Sequence, residues 1–432
     1  MILQMLRDWV WLERSQWWSR EKLQKLQEGK LQELVRHSYQ NVPFYRHLYD
    51  SAQTSTTNLT GPCKFERLPF VTRQDLRDTP LQDRTAADAD ASKCMPNTTS
   101  GSTGTPVTVL DDPTFAAEQE IINLRPMLAA GIRPWHRICR IWGNPENQPR
   151  MASNLGLYSG IKNRFYKRVY GTEDIHNHIK FYAAWNPDVI IATPSYFRAL
   201  LWFGEEDQAK LSLKVAVTDG ELLDDTTRKR ICDTFQADVI DTYGLTEAGI
   251  IAWECPAHCG YHINVESVFV EFIHDGGPAA PGEASRVYVT SLDRKTTPVI
   301  RYFTGDIATP TDEECPCGRG LPLMKDIQGR MIDFILMKDG SHVSPHNVMG
   351  RVRRIEGVEN LKLTQKRDFS MELQVRTRTE KSEEVLRVLR LRCLELFGEV
   401  PINIKLVDEI EGERGPKFRP VESELTHQPS GL

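Results

Sequence analysis

VIIA (189–192), LKVAV (213–217) and DVID (238–241) are three short apolar runs that lie close together in a chain of 432 residues. The segments between them are polar and long enough for one helix each. Short apolar runs that alternate with helical segments are typical of parallel strands buried on both faces. Because the alternation extends from about residue 90 to about residue 310, we predict an α/β fold.

The pattern changes on either side of this region. Over residues 1–50, leucines recur at helical spacing among charges as far as Asn41, which predicts a helical lead-in. Residues 262–273 and 286–291 resemble antiparallel strands instead.

After Gly329 the sequence predicts a short strand, a helix, an alternating strand, a charged helix and a last strand, which together form an α+β unit. We therefore predict two domains. A large N-terminal α/β domain with mixed sheets would cover 1–328, and a small mobile C-terminal lid domain would cover 329–432.

The overall composition is that of a globular protein, with 40% hydrophobic and 26% charged residues. Its net charge of −5 provides no basic field, so we expect no nucleic-acid partner. Charges such as Arg7 and Asp8 interrupt the apolar N-terminus, which leaves no run long enough for a transmembrane segment. We expect a cytoplasmic protein.

A segment rich in glycine and hydroxyl residues, TTSGSTGTP (98–106), precedes the strand-like VTVL (107–110). Glycines allow the backbone to approach an anion closely, and hydroxyls and N–H groups supply hydrogen-bond donors. The Walker pattern fails because no lysine follows Pro106, and the hydrolase elbow fails because Ser100 occupies its first glycine position. The segment predicts a phosphate-binding loop, with a plain surface loop as the alternative.

Four further segments follow in order: DTYGLTE (241–247), RYFTGD (301–306), GRMID (329–333) and GPKFR (415–419). Together with the glycine-rich loop they resemble the adenylate-forming superfamily of acyl-CoA synthetases. Within it the chain is most similar to the phenylacetate–CoA ligase branch, with its coenzyme F390 synthetase-like and capsule-biosynthesis relatives. That resemblance also rests on segments 31–50, 68–76, 193–201 and 315–322.

The resemblance implies a role for each matching residue. The loop Ser100, Gly101, Ser102, Thr103 and Gly104 would wrap the β- and γ-phosphates of ATP. Thr246 would contact the α-phosphate and Glu247 would hold Mg²⁺. Asp306 would accept hydrogen bonds from the ribose hydroxyls, with Arg330 beside it.

Other matches concern the base, the acyl group and the reaction itself. Gly220 and Glu221 would lie beside the adenine, and Tyr196 and Tyr243, with Gly244, would wall the acyl pocket or the adenine. Lys417 would reach the α-phosphate and the substrate carboxylate during adenylation.

The chain departs from the family pattern at four places. Leu222 stands where the adenine-side segment of the family usually has proline. Pro416 directly precedes Lys417, no basic residue follows the loop at Val107, and the usual hinge residue is replaced by Ile332. We still expect the small domain to rotate between two half-reactions, because this would move Lys417 away and admit a thiol.

Nine cysteines, an odd number, suit a reducing compartment in which close pairs hold metal. Cys255 and Cys259 form one pair and Cys315 and Cys317 another, with His262 nearby. Tetrahedral zinc needs four such ligands, and we expect four of these five residues to hold a structural Zn²⁺. Cys255, Cys315 and Cys317 are favoured, with His262 or Cys259 as the fourth; reduced cysteines without metal are the alternative.

The predicted function is ATP-dependent activation of a carboxylic acid, aromatic as in phenylacetate, to an acyl-AMP, followed by transfer to CoA. The alternatives are an adenylating enzyme that loads a free-standing acyl carrier protein or forms an amide, and a non-catalytic nucleotide-binding relative. The expected cofactors are ATP, Mg²⁺, CoA and Zn²⁺. The branch relatives also suggest a homodimer.

Overall fold

The computed structural model describes residues 2–53, 65–99, 106–142, 165–171, 173–206, 211–330, 333–352, 355–377, 382–410 and 418–425. Its helices, in chain order, are α1 Ile2–Ser15, α2 Arg20–Asn41, α3 Pro43–Ser51, α4 Arg73–Asp78, α5 Leu81–Arg84, α6 Pro113–Ala129, α7 Ile175–Trp185, α8 Pro194–Glu206, α9 Asp225–Phe235, α10 Pro345–Val352 and α11 Ser382–Phe397.

The first ten strands are β1 Met95–Thr98, β2 Thr108–Asp111, β3 Ile138–Trp142, β4 Tyr166–Tyr170, β5 Val189–Ala192, β6 Val215–Asp219, β7 Asp238–Leu245, β8 Gly249–Glu254, β9 Tyr261–Ile263 and β10 Val268–His274. The remaining ten are β11 Gly277–Pro278, β12 Ser285–Ser291, β13 Tyr302–Pro310, β14 Leu323–Arg330, β15 Ile335–Leu336, β16 His342–Val343, β17 Val358–Gln365, β18 Met371–Thr377, β19 Ile402–Leu406 and β20 Val421–Ser423.

A twelve-stranded mixed sheet dominates the structure, in the order β11-β10-β12-β13-β14-β9-β8-β7-β6-β5-β3-β4. The five strands from β4 to β7 in this order pair in parallel. From β7 through β8, β9, β14, β13 and β12 to β10, the pairing is antiparallel. The α/β prediction with mixed sheets is confirmed, and the direction changes at β7, the strand that carries DTYGL.

Predicted strand boundaries are shifted by one or two residues at β2 and β6, and one predicted strand is divided in two. Residues 262–273 do not form one strand, because β9 ends at Ile263 and β10 begins at Val268. Between them the backbone N–H groups of Ser267 and Val268 donate to the carbonyl of Asn264, which closes a turn. Alternating apolar residues within a turn resemble a strand in sequence, so the interruption was missed.

Helices α1 to α3 form the predicted N-terminal lead-in. The Ser19 side chain caps α2 by accepting a hydrogen bond from the Lys22 N–H, and buried Leu23, Leu31 and Leu34 lie on one face of the helix. These residues share a core with the antiparallel half of the sheet. None of the helices in the described part of the chain has the length and apolarity needed to cross a membrane.

A buried ion pair fastens this lead-in to the sheet. Arg125 of α6 lies 2.9 Å from Glu266, and their side chains are 2% and 0% exposed. Arg125 also donates to the carbonyl of Leu12 at 2.8 Å, and the Ser15 hydroxyl donates to Glu266 at 2.7 Å. One buried carboxylate therefore connects α1 and α6 with the turn before β10.

The C-terminal residues build a second, smaller sheet in the order β19-β18-β17-β20. Its apolar cluster includes Leu361, Leu373 and Leu389 and is distinct from the clusters of the large sheet. Gly329 and Arg330 still pair with β13 of the large sheet. The domain boundary at residue 329 stays a prediction.

Replacing Arg125 with leucine should lower the free energy of unfolding by about 3–5 kcal/mol, because Glu266 would keep a buried charge without a partner. Urea denaturation of the purified variant measures this loss. The matched control is Lys25→Met, which removes an exposed pair with Glu21 and should cost roughly 0.5 kcal/mol or less. Equal losses in the two variants would contradict the role given to Arg125.

Candidate functional site

A cavity of about 150 Å³ lies where β6 and β7 end, at the carboxyl edge of the parallel strands. Ligands of open α/β sheets bind at this edge. Six of the residues singled out in the sequence line it: Gly220, Glu221, Tyr243, Gly244, Asp306 and Arg330. Phe418 and Arg419 line it as well, so the cavity brings together four of the five sequence segments that carry the family resemblance: 241–247, 301–306, 329–333 and 415–419.

The turn after β6 forms one wall. Gly220 has φ +75°, a conformation that side chains with a Cβ rarely adopt, so glycine suits this position. The carboxylate of the next residue, Glu221, accepts hydrogen bonds from the backbone N–H and the hydroxyl of Ser195 at 2.9 and 2.7 Å. Glu221 is thereby fixed to the first turn of α8.

The opposite wall joins β7 to β13 and β14. The Tyr243 hydroxyl donates to Asp306 Oδ2 at 2.7 Å, and Arg330 is the cross-strand partner of Asp306. Burial raises the pKa of the Asp306 carboxyl, while Arg330 and the Tyr243 hydroxyl act in the opposite direction. Asp306 thus offers carboxylate oxygens to a ligand that carries hydroxyl donors.

Several cavity residues were missed in the sequence, among them Asp241 and Arg198. Asp241 opens the DTYGLTE segment and is 4% exposed; burial and the nearby Glu254 raise its pKa to about 7. Arg198 of α8 lies 3.8 Å from Glu221, and its Nη1 makes no hydrogen bond within the part of the chain that the structure describes. An acid at the end of a buried strand and an arginine in an apolar helix were the available signals.

The predicted phosphate side is held by buried charges. The Tyr302 hydroxyl donates to Glu247 at 3.0 Å, and Arg73 lies 3.9 Å from the same carboxylate. Arg73 also donates to the Thr99 hydroxyl at 2.8 Å, directly before the glycine-rich loop. The Thr246 carbonyl accepts a hydrogen bond from buried Arg294 at 3.3 Å.

The loop itself, Ser100 to Gly104, lies outside the described residues, as do Ile332 and Lys417. The residues that follow Lys417 are described: Phe418 and Arg419 line the cavity from the side of the smaller sheet. Arg419 forms an ion pair with Asp333, another cavity residue. The cavity is therefore bounded by both parts of the chain.

Tyr196 lies elsewhere. Its hydroxyl is 2.8 Å from His178 Nδ1 and 2.7 Å from the Tyr182 hydroxyl, in a polar cluster between α7 and α8. It does not belong to the residues that line the cavity. Its predicted contact with the acyl group stays a prediction.

Three of the four cysteines in the two predicted pairs meet beside β9, together with His262. Sγ of Cys255 is 3.6 Å from that of Cys315, and Sγ of Cys317 is 3.3 Å from His262 Nε2. The four candidate ligand atoms lie within 4.8 Å of one another. Cys259 is outside this group, and its thiol contacts the Ala257 carbonyl instead. Among the five predicted residues, the geometry thus selects His262 over Cys259.

Comparisons with known proteins agree with the resemblance seen in the sequence. A family profile described as "AMP-binding enzyme" matches residues 150–291. Among solved structures, 2-hydroxyisobutyryl-CoA ligase in complex with R3-HIB-AMP superimposes with a TM-score of 0.77 at 21% identity, covering 92% of this chain and 89% of that one. At this identity the likeness establishes the fold.

Curated relatives are more similar in sequence. A phenylacetate-coenzyme A ligase of Escherichia coli (strain K12) is 28% identical over 353 residues, which cover 78% of this chain and 77% of the relative. A phenylacetate-coenzyme A ligase of Thermus thermophilus is 30% identical over 346 residues, or 76% of this chain and 75% of the relative. With this identity over three quarters of both chains, the protein belongs to the phenylacetate–coenzyme A ligase family of AMP-forming enzymes.

Proposed function

We propose that this protein joins a carboxylic acid to coenzyme A in two steps that share one site. A carboxylate oxygen first attacks the α-phosphorus of ATP and pyrophosphate leaves, which gives an acyl-AMP. The CoA thiol then attacks the acyl carbon and AMP leaves. The carrying observation is the cavity in which Gly220, Tyr243, Asp306 and Arg330, from distant parts of the sequence, converge.

Within this cavity the chain would hold the nucleoside half of ATP. Gly220 and Glu221 would flank the purine, because Gly220 lines the cavity without a side chain that would keep a planar base at a distance. Asp306 would accept the ribose hydroxyls, since its carboxylate is already oriented by Tyr243. Asp241 would present an acceptor toward the purine from β7.

The phosphates would extend toward Thr246 and Glu247, beside the end of β7. Mg²⁺ held by Glu247 would supply positive charge to the phosphates. Glu247 suits this task because it is buried and its orientation is set by the Tyr302 hydroxyl. The loop 100–104 would add N–H donors, and Thr99 at its start is already fixed by Arg73.

The substrate class rests on four curated relatives, each of them a phenylacetate-coenzyme A ligase. We propose an aromatic acid of similar size. The decisive experiment is ATP–pyrophosphate exchange across aromatic and short aliphatic acids, followed by CoA, carrier-protein and amine acceptors for the best acid. The proposal fails if no acid supports exchange, and its second step fails if CoA accepts no acyl group.

Lys417→Ala should slow pyrophosphate exchange by roughly 10²–10³-fold or more, because a cation aimed at the α-phosphate acts mainly in the transition state. ATP binding, measured by calorimetry, should change little. The matched lysine control is Lys405→Ala, because Lys405 is exposed on β19 and does not line the cavity. An unchanged exchange rate in Lys417→Ala would remove this residue from the mechanism.

Asp306→Ala should weaken ATP binding by roughly two orders of magnitude or more, because two hydrogen bonds to a charged group are lost. The same variant should bind ATP and 2′,3′-dideoxy-ATP equally, whereas the native protein prefers ATP. The control is Asp339→Ala, an exposed turn carboxylate. If the variant still prefers ATP over the dideoxy analogue, the carboxylate does not recognise the ribose.

We also propose that Cys255, His262, Cys315 and Cys317 hold one structural zinc ion. In a zinc tetrahedron with Zn–S bonds of about 2.3 Å, neighbouring sulfur atoms lie about 3.8 Å apart. The spacing of 3.6 Å between Cys255 and Cys315 fits this value. Burial lowers the pKa of His262 to about 4, so its ring is neutral at neutral pH, the form that binds metal.

Elemental analysis of the purified protein should find about one zinc per chain. Cys317→Ser should lose the metal, since a four-ligand structural site becomes incomplete. Cys259→Ser should retain it, because this thiol points to the Ala257 carbonyl. Zinc loss in both variants, or in neither, would contradict the selected ligand set.

A further inference from the structure

The β8–β9 hairpin presents two different faces. Glu254 and Tyr261 are partners across the antiparallel pair. The residue after each of them, Cys255 or His262, belongs to the proposed metal cluster. Because successive strand residues point to opposite faces, Tyr261 and His262 face opposite sides. One side of the hairpin therefore carries the metal ligand His262, and the other carries the Tyr261 side chain, on the same side of the sheet as the Asp241 carboxylate.

The hairpin fixes the carboxylate of Asp241 on that second side. The Tyr261 hydroxyl donates to Asp241 Oδ2 at 2.7 Å, and the Thr218 hydroxyl donates to Oδ1 at 2.5 Å. Asp241 is a wall residue of the nucleotide cavity. Both of its oxygens are therefore oriented by hydroxyl donors, one of which belongs to the hairpin.

A second contact reaches the Asp241 backbone. The Asp241 N–H donates to Glu254 Oε2 at 2.9 Å. Arg228 of α9 in turn donates to both oxygens of Glu254, at 2.9 and 2.7 Å, so this carboxylate has a fixed orientation. The hairpin thus holds both the side chain and the main chain of one cavity residue.

A third contact lies in the hairpin loop between the two metal ligands. His258 Nε2 is 2.9 Å from the carboxylate of Asp238, the first residue of β7. The loop is therefore attached to β7 at its beginning, and the hairpin strands are attached at its fourth residue. A displacement of the hairpin would therefore also displace β7, the strand that forms one wall of the cavity.

We propose that Tyr261 and Glu254 are positioning residues that transmit metal binding to the nucleotide cavity by holding Asp241. The inference rests on the proposed function, since it assumes a metal in the cluster and ATP in the cavity. Cys315 and Cys317 come from the separate β13–β14 connection, so a bound metal joins that connection to the hairpin. Without the metal the hairpin keeps its ladders to β7 and β14 but loses the side-chain link to Cys315 and Cys317, and its hold on Asp241 becomes looser.

The test is the dissociation constant of ATP by calorimetry, with zinc content measured on the same samples. Tyr261→Phe should keep its zinc and bind ATP about 10-fold more weakly, the effect of one hydrogen bond to a charged group. Tyr39→Phe is the matched control, because it removes a tyrosine–carboxylate bond to Asp50 far from the cavity. ATP affinity equal to that of the native protein in Tyr261→Phe overturns the proposal.

The metal is tested by reversible chelation of the native protein and by Cys317→Ser. Both should weaken ATP binding about 10-fold, and zinc should restore it only after chelation. Chelation of Tyr261→Phe should add less than chelation of the native protein, because the two changes break one link. The proposal is overturned if chelation weakens ATP binding as much in Tyr261→Phe as in the native protein. It is also overturned if metal loss leaves the ATP affinity unchanged.

Failure of this inference can be distinguished from failure of the proposed function. A native protein that binds ATP but contains no metal defeats the zinc proposal and with it the transmission, while Tyr261→Phe still measures the positioning of Asp241. A native protein that neither binds ATP nor exchanges pyrophosphate defeats the proposed function itself.

Discussion

The hydrogen bond between the Tyr243 hydroxyl and the Asp306 carboxylate is the interaction on which the site depends. Tyr243 belongs to β7, the last of the parallel strands, whereas Asp306 belongs to β13 in the antiparallel half. The bond therefore connects the two halves of the sheet across the cavity. Both groups are buried, so water does not compete for the bond and each group needs the other as a partner.

Sequence reasoning located the segments of the site but not all of their partners. Gly220, Tyr243 and Asp306 could be found because each lies in a local pattern at a strand end. The spacing of the cysteines left Cys259 and His262 as equal candidates, and only the path of the β8–β9 hairpin decides between them. Arg198 is marked in the sequence as a charge in an apolar helical segment, but only the packing of α8 places it 3.8 Å from Glu221.

Buried ion pairs join distant segments at several places in the described structure. Arg125 with Glu266 fastens the lead-in, Arg301 with Glu271 lies under the antiparallel strands, and Arg294 with Asp111 lies beneath the phosphate side. Such pairs contribute little net stability, but removing one partner is costly. They therefore specify which surfaces pack together. They also fix the relative orientation of these surfaces, which apolar contacts alone would allow to slide.

The nucleotide cavity has walls from two apolar cores, since Tyr243 belongs to the large-sheet cluster and Val421 to the cluster of the smaller sheet. A ligand stabilises every part of a protein that must be folded to bind it. Under the proposed function, nucleotide in this cavity would contact both cores, so that their unfolding would become coupled when the cavity is filled.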